Sequence, residues 1–421
     1  MNESIVTVPN RPWHGDQPLN LSFPSEWKIK RCVIASEGKQ ALSSEQIKAA
    51  ILNPLGTKPL NKIAEGKNEA VIIFDDMTRP TKIFQYAPIV IEELHRAGIK
   101  DDNIRFIIAS GSHGTYTLSH FREKLGEELL ELYPVYNHNP YEMLKYVGET
   151  KLKTPVWING EVMSCDIKIG IGTLLFHRMF GFSGGGKIIC PGVAGIETIK
   201  HNHGNVGGYG PGFSAHTSTG YLMAQGNILR EDSEEAVSLA GLDFKVDTVL
   251  NLERDPLEVY AGNFIQTHRS AIPGVLKWHR CESPKDNDIV VAQTYMRQNE
   301  ADLGLWPASQ SVKKDGTIVL IIDDPEGDIN HWIFHSHGKF IGASLWSDKP
   351  RVPSASSHLI IFSKYHDKKF ERRFSPGTIT WIKDWKEVIE TLKSWHPGNP
   401  KVAVLPDATS GIPETMIPTK L

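Results

Sequence analysis

Five consecutive apolar residues, Ala70 to Phe74 (AVIIF), leave this chain little choice of local structure. A short run rich in β-branched side chains reads as a buried strand. The loop Asp75-Asp76-Met77-Thr78-Arg79-Pro80 follows directly, and then Ile83, Ala87, Val90, Ile91 and Leu94 fall on one face of a helix that Gly98 caps. The result is one βα unit with a charged loop at the C-terminal end of its strand. The pattern repeats with a strand at Ile104 to Ala109, an exit loop Ser110-Gly111-Ser112-His113-Gly114-Thr115 and a helix from about Leu118. Asp166 to Ile171 gives a third strand. Alternation of this kind predicts an α/β fold with a parallel sheet. Ligands of such sheets bind outside the carboxyl ends of the strands, so the three exit loops are expected to share one crevice.

At 421 residues the chain accommodates two or three domains. Its first forty residues alternate enough to be strands, Cys32 to Ala35 most clearly, and Ser43 to Gln46 has the form of a capping box that opens a helix. A further helix is expected over Arg230 to Ala240. The pattern weakens between 266 and 285. It resumes with strands at Asp288 to Ala292, Thr317 to Ile322, Leu359 to Phe362, Thr378 to Trp381 and Val402 to Leu405. The division expected is therefore an N-terminal domain over 1–265, a linker over 266–285 and a C-terminal α/β domain over 286–421.

A net charge of −3 gives no general reason to expect nucleic acid or an anionic membrane as partner. Four cysteines without CxxC spacing argue for a reducing compartment and against a disulfide scaffold or zinc ribbon. The first residues show neither a basic nor an apolar signal region, and no apolar run approaches the roughly 20 residues that span a bilayer. The expectation is a cytoplasmic protein.

The chemistry concentrates between Ile167 and Gly204. There His177-Arg178 precedes a glycine cluster that ends in a lysine, Gly184-Gly185-Gly186-Lys187, with Pro191-Gly192 and His203 beyond. Glycines let backbone amides approach an anion, and a lysine ending such a loop suggests a phosphate, a covalent adduct, or both. Gly181 to Lys187 almost reproduces a triphosphate P-loop, but Ile188 stands where Ser or Thr must hold Mg²⁺. The same gap counts against reading Asp323-Asp324, after IVLII, as a Walker B end. A surface turn is the plain alternative, and it does not explain two histidines flanking the lysine. Asp76 to Pro80 reads equally as a turn, apart from the cation Arg79 beside a buried strand. His113 alone is a common kind of loop histidine. In HWIFHSH, His331 and His335 have a metal-like spacing, with His337 beyond. No HExxH glutamate is present, and the run suits a strand.

Together, Asp76-x-Thr78-Arg79-Pro80, Gly-Ser-His113, His177-Arg178-x-x-Gly181-x-Ser183-Gly184-Gly185-x-Lys187, Pro191-Gly192 and His203 resemble the lactate racemase family. Lys187 follows His177 by ten residues and His203 follows Lys187 by sixteen, and these spacings are the specific part of the likeness. The likeness covers the N-terminal domain and, more loosely, the C-terminal one.

The resemblance implies a nickel-pincer nucleotide cofactor made by the host's cofactor-synthesis proteins, joined covalently to Lys187, with His203 as the protein ligand to nickel. It implies that His113 and His177 are the acid/base groups and that Arg79 orients the substrate carboxylate. Asp76 and Thr78 would lie at the cofactor or steady its neighbours, and Ser183, Gly184, Gly185 and Gly186 would cradle its phosphate. The active site would lie in the crevice between two α/β domains, the second closing over the substrate. The reaction implied is inversion at C2 of a 2-hydroxy acid, with the C2 hydrogen passing reversibly to the cofactor as hydride. The chain departs from the lactate-specific pattern around Tyr295 to Trp306. That points to an acid larger than lactate, such as a sugar acid, with Tyr295, Arg297 and Trp346 expected in the pocket. A nucleotide-binding protein or a non-catalytic carrier of the cofactor are the competing readings.

Overall fold

The computed structural model describes residues 3–212, 214–334, 345 and 356–418. Two six-stranded sheets organise them. The first runs in the order Pro256–Gly262, Phe244–Leu250, Ile167–Thr173, Ala70–Asp75, Ile104–Ala109, Val135–Asn137. All its pairings are parallel except the edge strand Pro256–Gly262, which lies antiparallel to Phe244–Leu250. Ala70–Asp75 is buried along its whole length because both faces of the sheet are covered. Ile72 and Phe74 pack on one side with Val90, Ile91 and Leu94 of helix Ala87–Arg96. Val71 and Ile73 pack on the other with Ile188, Val193 and helix Ile228–Ala240. The strands expected from Ala70 onward are all present, most within a residue or two of their expected ends; Val312–Ile321 and Ser356–Phe362 begin five and three residues earlier than expected, and Ser43 does form the capping box on helix Ser44–Leu52. One helix differs from expectation. Ile83–Gln85 is a separate 3₁₀ turn, and Ala87–Arg96 starts afresh with Pro88 in its first turn.

The second sheet is parallel throughout, in the order Ile379–Ile382, Ser356–Phe362, Val312–Ile321, Asn287–Gln293, Lys401–Leu405, Lys28–Arg31. Its last strand corrects the expected domain division. Residues 28–31 pair with residues 401–404, and the hairpin Glu3–Val8/Leu19–Pro24 buries Val8, Leu21 and Phe23 in the same core as Val402 and Val404. The N-terminal stretch thus belongs to the second sheet. Cys32 to Ala35 is not a strand, because the chain leaves the sheet after Arg31. The expected linker over 266–285 is also overturned. Phe264–Trp278 is a helix whose Ala271, Ile272 and Val275 pack beneath Val249 of the first sheet. Among the described residues no helix is long and apolar enough to cross a membrane.

Candidate active site

A cavity of about 480 Å³ opens at the C-terminal ends of the first sheet's strands, and Glu300, Asp302, Leu303 and Arg373 form its opposite wall. Asp76, Thr78, Arg79, His113, His177, Ser183, Gly184, Lys187 and His203 all line it. The three exit loops do converge.

Lys187 enters on the short 3₁₀ turn Gly185–Ile188. Its Nζ lies 3.4 Å from the centre of the Phe180 ring, and among the described residues it has no ion-pair partner. Burial first, then the Arg230 and Arg79 cations, push its pKa well below the ordinary lysine value. That environment favours the neutral, nucleophilic amine. His203 sits in the π-helical turn His201–Val206, a local irregularity frequent at functional sites. Its Nδ1 donates to the Ile199 carbonyl at 3.1 Å, which fixes the tautomer and leaves Nε2 as an acceptor. Burial, then Lys187, lowers its pKa to about 3, so the imidazole stays neutral. Among the described residues no three metal-ligating side chains gather.

His113 stands on the Ser110–Thr115 loop, its Nδ1 2.5 Å from Asp76 Oδ2. Asp76 also accepts from Tyr116 Oη at 3.0 Å and from the Thr78 amide at 3.0 Å. Burial opposes a charge on His113, but the Asp76 carboxylate outweighs it and the pKa is raised. Burial likewise opposes ionisation of Asp76, yet His113 and Arg79 hold that carboxyl well below its usual range. His177 lies in the opposite state. Burial, then Lys187 and the arginines 79, 297 and 178, drive its pKa well below the ordinary histidine value. Arg79 is held by Thr78 Oγ1 at 2.8 Å and by Glu300 Oε2 at 2.9 Å.

Several expected contacts lie elsewhere. Tyr295 donates to Asp16 at 2.8 Å, outside the cavity. Arg297 is fully buried, its guanidinium taken up by the carbonyls of Thr409 and Phe176 and its plane over the Phe176 ring. Neither is a pocket residue, because packing between the two sheets consumes both side chains. Trp306 stacks on Tyr221 with centroids 4.3 Å apart. Trp346, His335 and His337 lie outside the described residues, and His331 lines the cavity beside His113, their ring centroids 5.0 Å apart.

The glycine loop is also not the open anion cradle expected. The Gly185 amide is spent on Asp247, 3.1 Å from each carboxylate oxygen, and neither Gly185 nor Gly186 lines the cavity. A Cβ on Gly185 would stand 2.8 Å from His268 Cβ, so close packing explains that glycine. Ser183 Oγ donates to the Thr173 carbonyl at 3.0 Å and accepts from the Leu175 amide at 2.8 Å. Sequence reasoning missed Glu300, Asp302, Arg373 and Lys245, which line the cavity in their place. The first two lie in the segment singled out for its departures, but their alternation with Tyr295 and Arg297 gave no way to choose a face.

Residues 14–208 match the lactate racemase N-terminal domain. The lactate racemase of Thermoanaerobacterium thermosaccharolyticum is 26% identical over 427 residues, covering 95% of this chain and 97% of that protein. Over residues 14–208 the chain carries a lactate racemase N-terminal domain, and over nearly its whole length it is similar to a lactate racemase. A second such relative, the lactate racemase of Lactiplantibacillus plantarum, is 27% identical over 309 residues, 69% of each chain. The fold of this chain is similar to that of the lactate racemase apoprotein from T. thermosaccharolyticum, with a TM-score of 0.74 at 23% identity over 97% of this chain and 99% of that one. A Thermotoga maritima protein shares it with a TM-score of 0.63 at 18% identity, over 88% and 98%.

Proposed function

We propose that this isomerase inverts C2 of a 2-hydroxy acid larger than lactate, such as a sugar acid, using a nickel-pincer nucleotide attached to Lys187 and ligated through His203. The observation that carries the reading is the shared cavity. A buried lysine poised as a free amine and a histidine with one open nitrogen face the same space as two further histidines. The bound group supplies a hydride acceptor. The chain's own residues do the rest. Arg79 offers the cation for the substrate carboxylate, and the Asp76-oriented His113 accepts the hydroxyl proton at Nε2. Phe180 and Phe334 flank the His203 ring, with centroids 5.4 and 5.9 Å away.

The opposite wall supports a substrate with further hydroxyls. Glu300, Asp302 and Arg373 line it in ion pairs with Arg79, Arg178 and one another, a polar wall whose remaining lone pairs and N–H groups suit additional hydroxyls. A wall built that way rejects analogues lacking the hydroxyls. The nucleotide-binding alternative is weakened by Ile188 and by the Gly185 amide's engagement with Asp247. A mere carrier would have no use for the Asp76–His113 pair.

The test is protein produced in a host that makes the cofactor. It should contain nickel and a mass addition on the Lys187 peptide. Lys187→Ala should lose the addition, and His203→Ala should chiefly lose nickel. An unmodified Lys187 peptide would refute the cofactor reading. Chiral chromatography across 2-hydroxy acids of rising length and polarity tests the substrate, and lactate winning by a wide margin would refute the larger one. Turnover in D₂O should leave the original C2 hydrogen in place.

A further inference from the structure

Arg79 and Glu300 meet across the cavity from distant parts of the chain, and each keeps one edge open. Arg79 Nη1 donates toward the Thr78 carbonyl at 2.7 Å, Thr78 Oγ1 at 2.8 Å and Glu300 Oε2 at 2.9 Å, so its hydrogens are spent. Among the described residues Nε and Nη2 donate to nothing, and that edge is the fork that suits a carboxylate. The two carboxylates of the opposite wall differ in the same way. Asp302 spends Oδ2 on Arg178 and Oδ1 on Arg373, each at 2.8 Å. Glu300 spends only Oε2, on Arg79 at 2.9 Å, with Arg297 Nη1 4.0 Å away. Its Oε1 accepts no hydrogen bond among the described residues, and the residue lines the cavity.

The placement is fixed by its neighbours. Asn299 donates from Nδ2 to the Met77 carbonyl at 3.1 Å, and its own carbonyl accepts from the Ile329 amide at 2.9 Å. The loop of Glu300 is thereby tied to the loop of Arg79 at two consecutive residues. Burial by itself would raise the Glu300 pKa, but Arg79, then Arg297, His113 and Arg178, outweigh it and lower the value. Glu300 therefore stands as a carboxylate, which accepts hydrogen bonds and donates none.

We propose that Glu300 is a specificity-determining residue that accepts the C3 hydroxyl of the substrate, so that the chain acts on 2,3-dihydroxy monocarboxylates of the aldonic type and refuses a second carboxylate at that place. This rests on the racemase reading above and on Arg79 as the seat of the C1 carboxylate. A carboxylate on the Nε–Nη2 edge and Glu300 on Nη1 are neighbours across one guanidinium. A hydroxyl that reaches Glu300 must then lie close to C1 along the substrate. The C2 oxygen is taken by the reaction, which leaves C3. With Arg79 keeping C1, presenting the other face of C2 turns the substrate about the C1–C2 bond. C3 thus lies at Glu300 in one epimer and away from it in the other. A methyl group there strips water from Oε1 and returns no hydrogen bond. A carboxylate there meets a like charge.

The test is a cycle of substrate and side chain on the full chain, matched for nickel and for the Lys187 mass addition. Glycerate against lactate, and 2,3-dihydroxybutanoate against 2-hydroxybutanoate, differ by one C3 hydroxyl. Wild type should favour the hydroxylated member of each pair by about 10- to 100-fold in kcat/KM, the worth of a hydrogen bond to a charged group. Glu300→Ala should bring both ratios close to one. Glu300→Gln, whose amide oxygen accepts without a charge, should keep a reduced preference and raise malate relative to lactate. Both variants loosen Arg79, so the rate falls for every acid, but a structural loss of that kind leaves the ratios where they were. Either epimer serves, because the fixed equilibrium between epimers makes kcat/KM change by one factor in both directions. Ratios in Glu300→Ala equal to those of wild type overturn the proposal. So does a wild type that treats the paired acids alike, or one that prefers malate to glycerate. Should the loaded protein invert no 2-hydroxy acid, the racemase reading fails. Calorimetric Kd values for glycerate and lactate on wild type and Glu300→Ala then decide the subsite, and an unchanged ratio overturns it.

Discussion

At the scale of single residues, the chemistry is set by which neighbour holds each ring nitrogen. Asp76 holds His113 Nδ1, whereas His177 Nδ1 is held by the backbone amides of Met179 and Phe180 and, among the described residues, by no carboxylate. Because Asp76 raises the His113 pKa, the neutral base is scarce on the acid side and grows as pH rises through that raised value. The expected kcat/KM therefore climbs with pH above the ordinary histidine range. Asp76→Asn should slide the climb to lower pH and reduce the plateau by roughly 10²-fold through lost orientation. A pH profile of both proteins checks this, and an unmoved limb would detach Asp76 from His113. The same pair gives a stability window. The depressed Asp76 contributes above the ordinary carboxyl pKa and ceases to as pH falls through its folded value. The raised His113 contributes below the ordinary histidine pKa and ceases to as pH rises through its folded value. Denaturant melts of the wild type should thus show a stability term at mildly acidic pH that Asp76→Asn lacks.

At the scale of elements, the hairpin that carries His177 depends on one glycine. Gly181 has φ of +76°, and a Cβ there would stand 2.4 Å from the Met223 carbonyl oxygen. Gly181→Ala should cost at least about 1–3 kcal/mol, from backbone strain alone. It should also weaken turnover by moving the amides that lock the His177 ring. Thermal unfolding and kinetics on the same preparation check both. Ser43→Ala is the contrasting change. It removes a helix cap far from the cavity and should cost about 1 kcal/mol with the rate untouched. Equal losses of activity in the two variants would mean that the hairpin has no special role.

At the scale of the whole molecule, the second sheet is closed by the chain's own beginning. Lys28–Arg31 is its edge strand, and Val8, Leu21, Phe23 and Trp27 are buried in its core. Deleting residues 1–31 should expose that core while leaving the first sheet's strands paired. Limited proteolysis should then cut within 286–421 well before it cuts within 44–265. Uniform resistance would show that the N-terminal strand is dispensable. The cavity too belongs to the whole, since Arg79 meets Glu300 and Arg178 meets Asp302 only because the two sheets face each other.

The sequence by itself determined the parallel strands, the helix faces, the cap at Ser43 and the loop residues of the first sheet that reach the cavity. Those features are local. Burial on both faces of a strand, a 3.6-residue stripe and a capping box are each written within a dozen residues. Tertiary structure alone decided the partner of Lys28–Arg31, which lies some 370 residues away along the chain. It decided which side of the irregular stretch Tyr295–Gly304 faces the substrate, since Arg297 and Glu300 are non-helical and break any period. It also decided that two similar histidines differ in protonation. A ring's proton goes where its neighbours leave room for it, and for His113 that neighbour comes from another strand's loop.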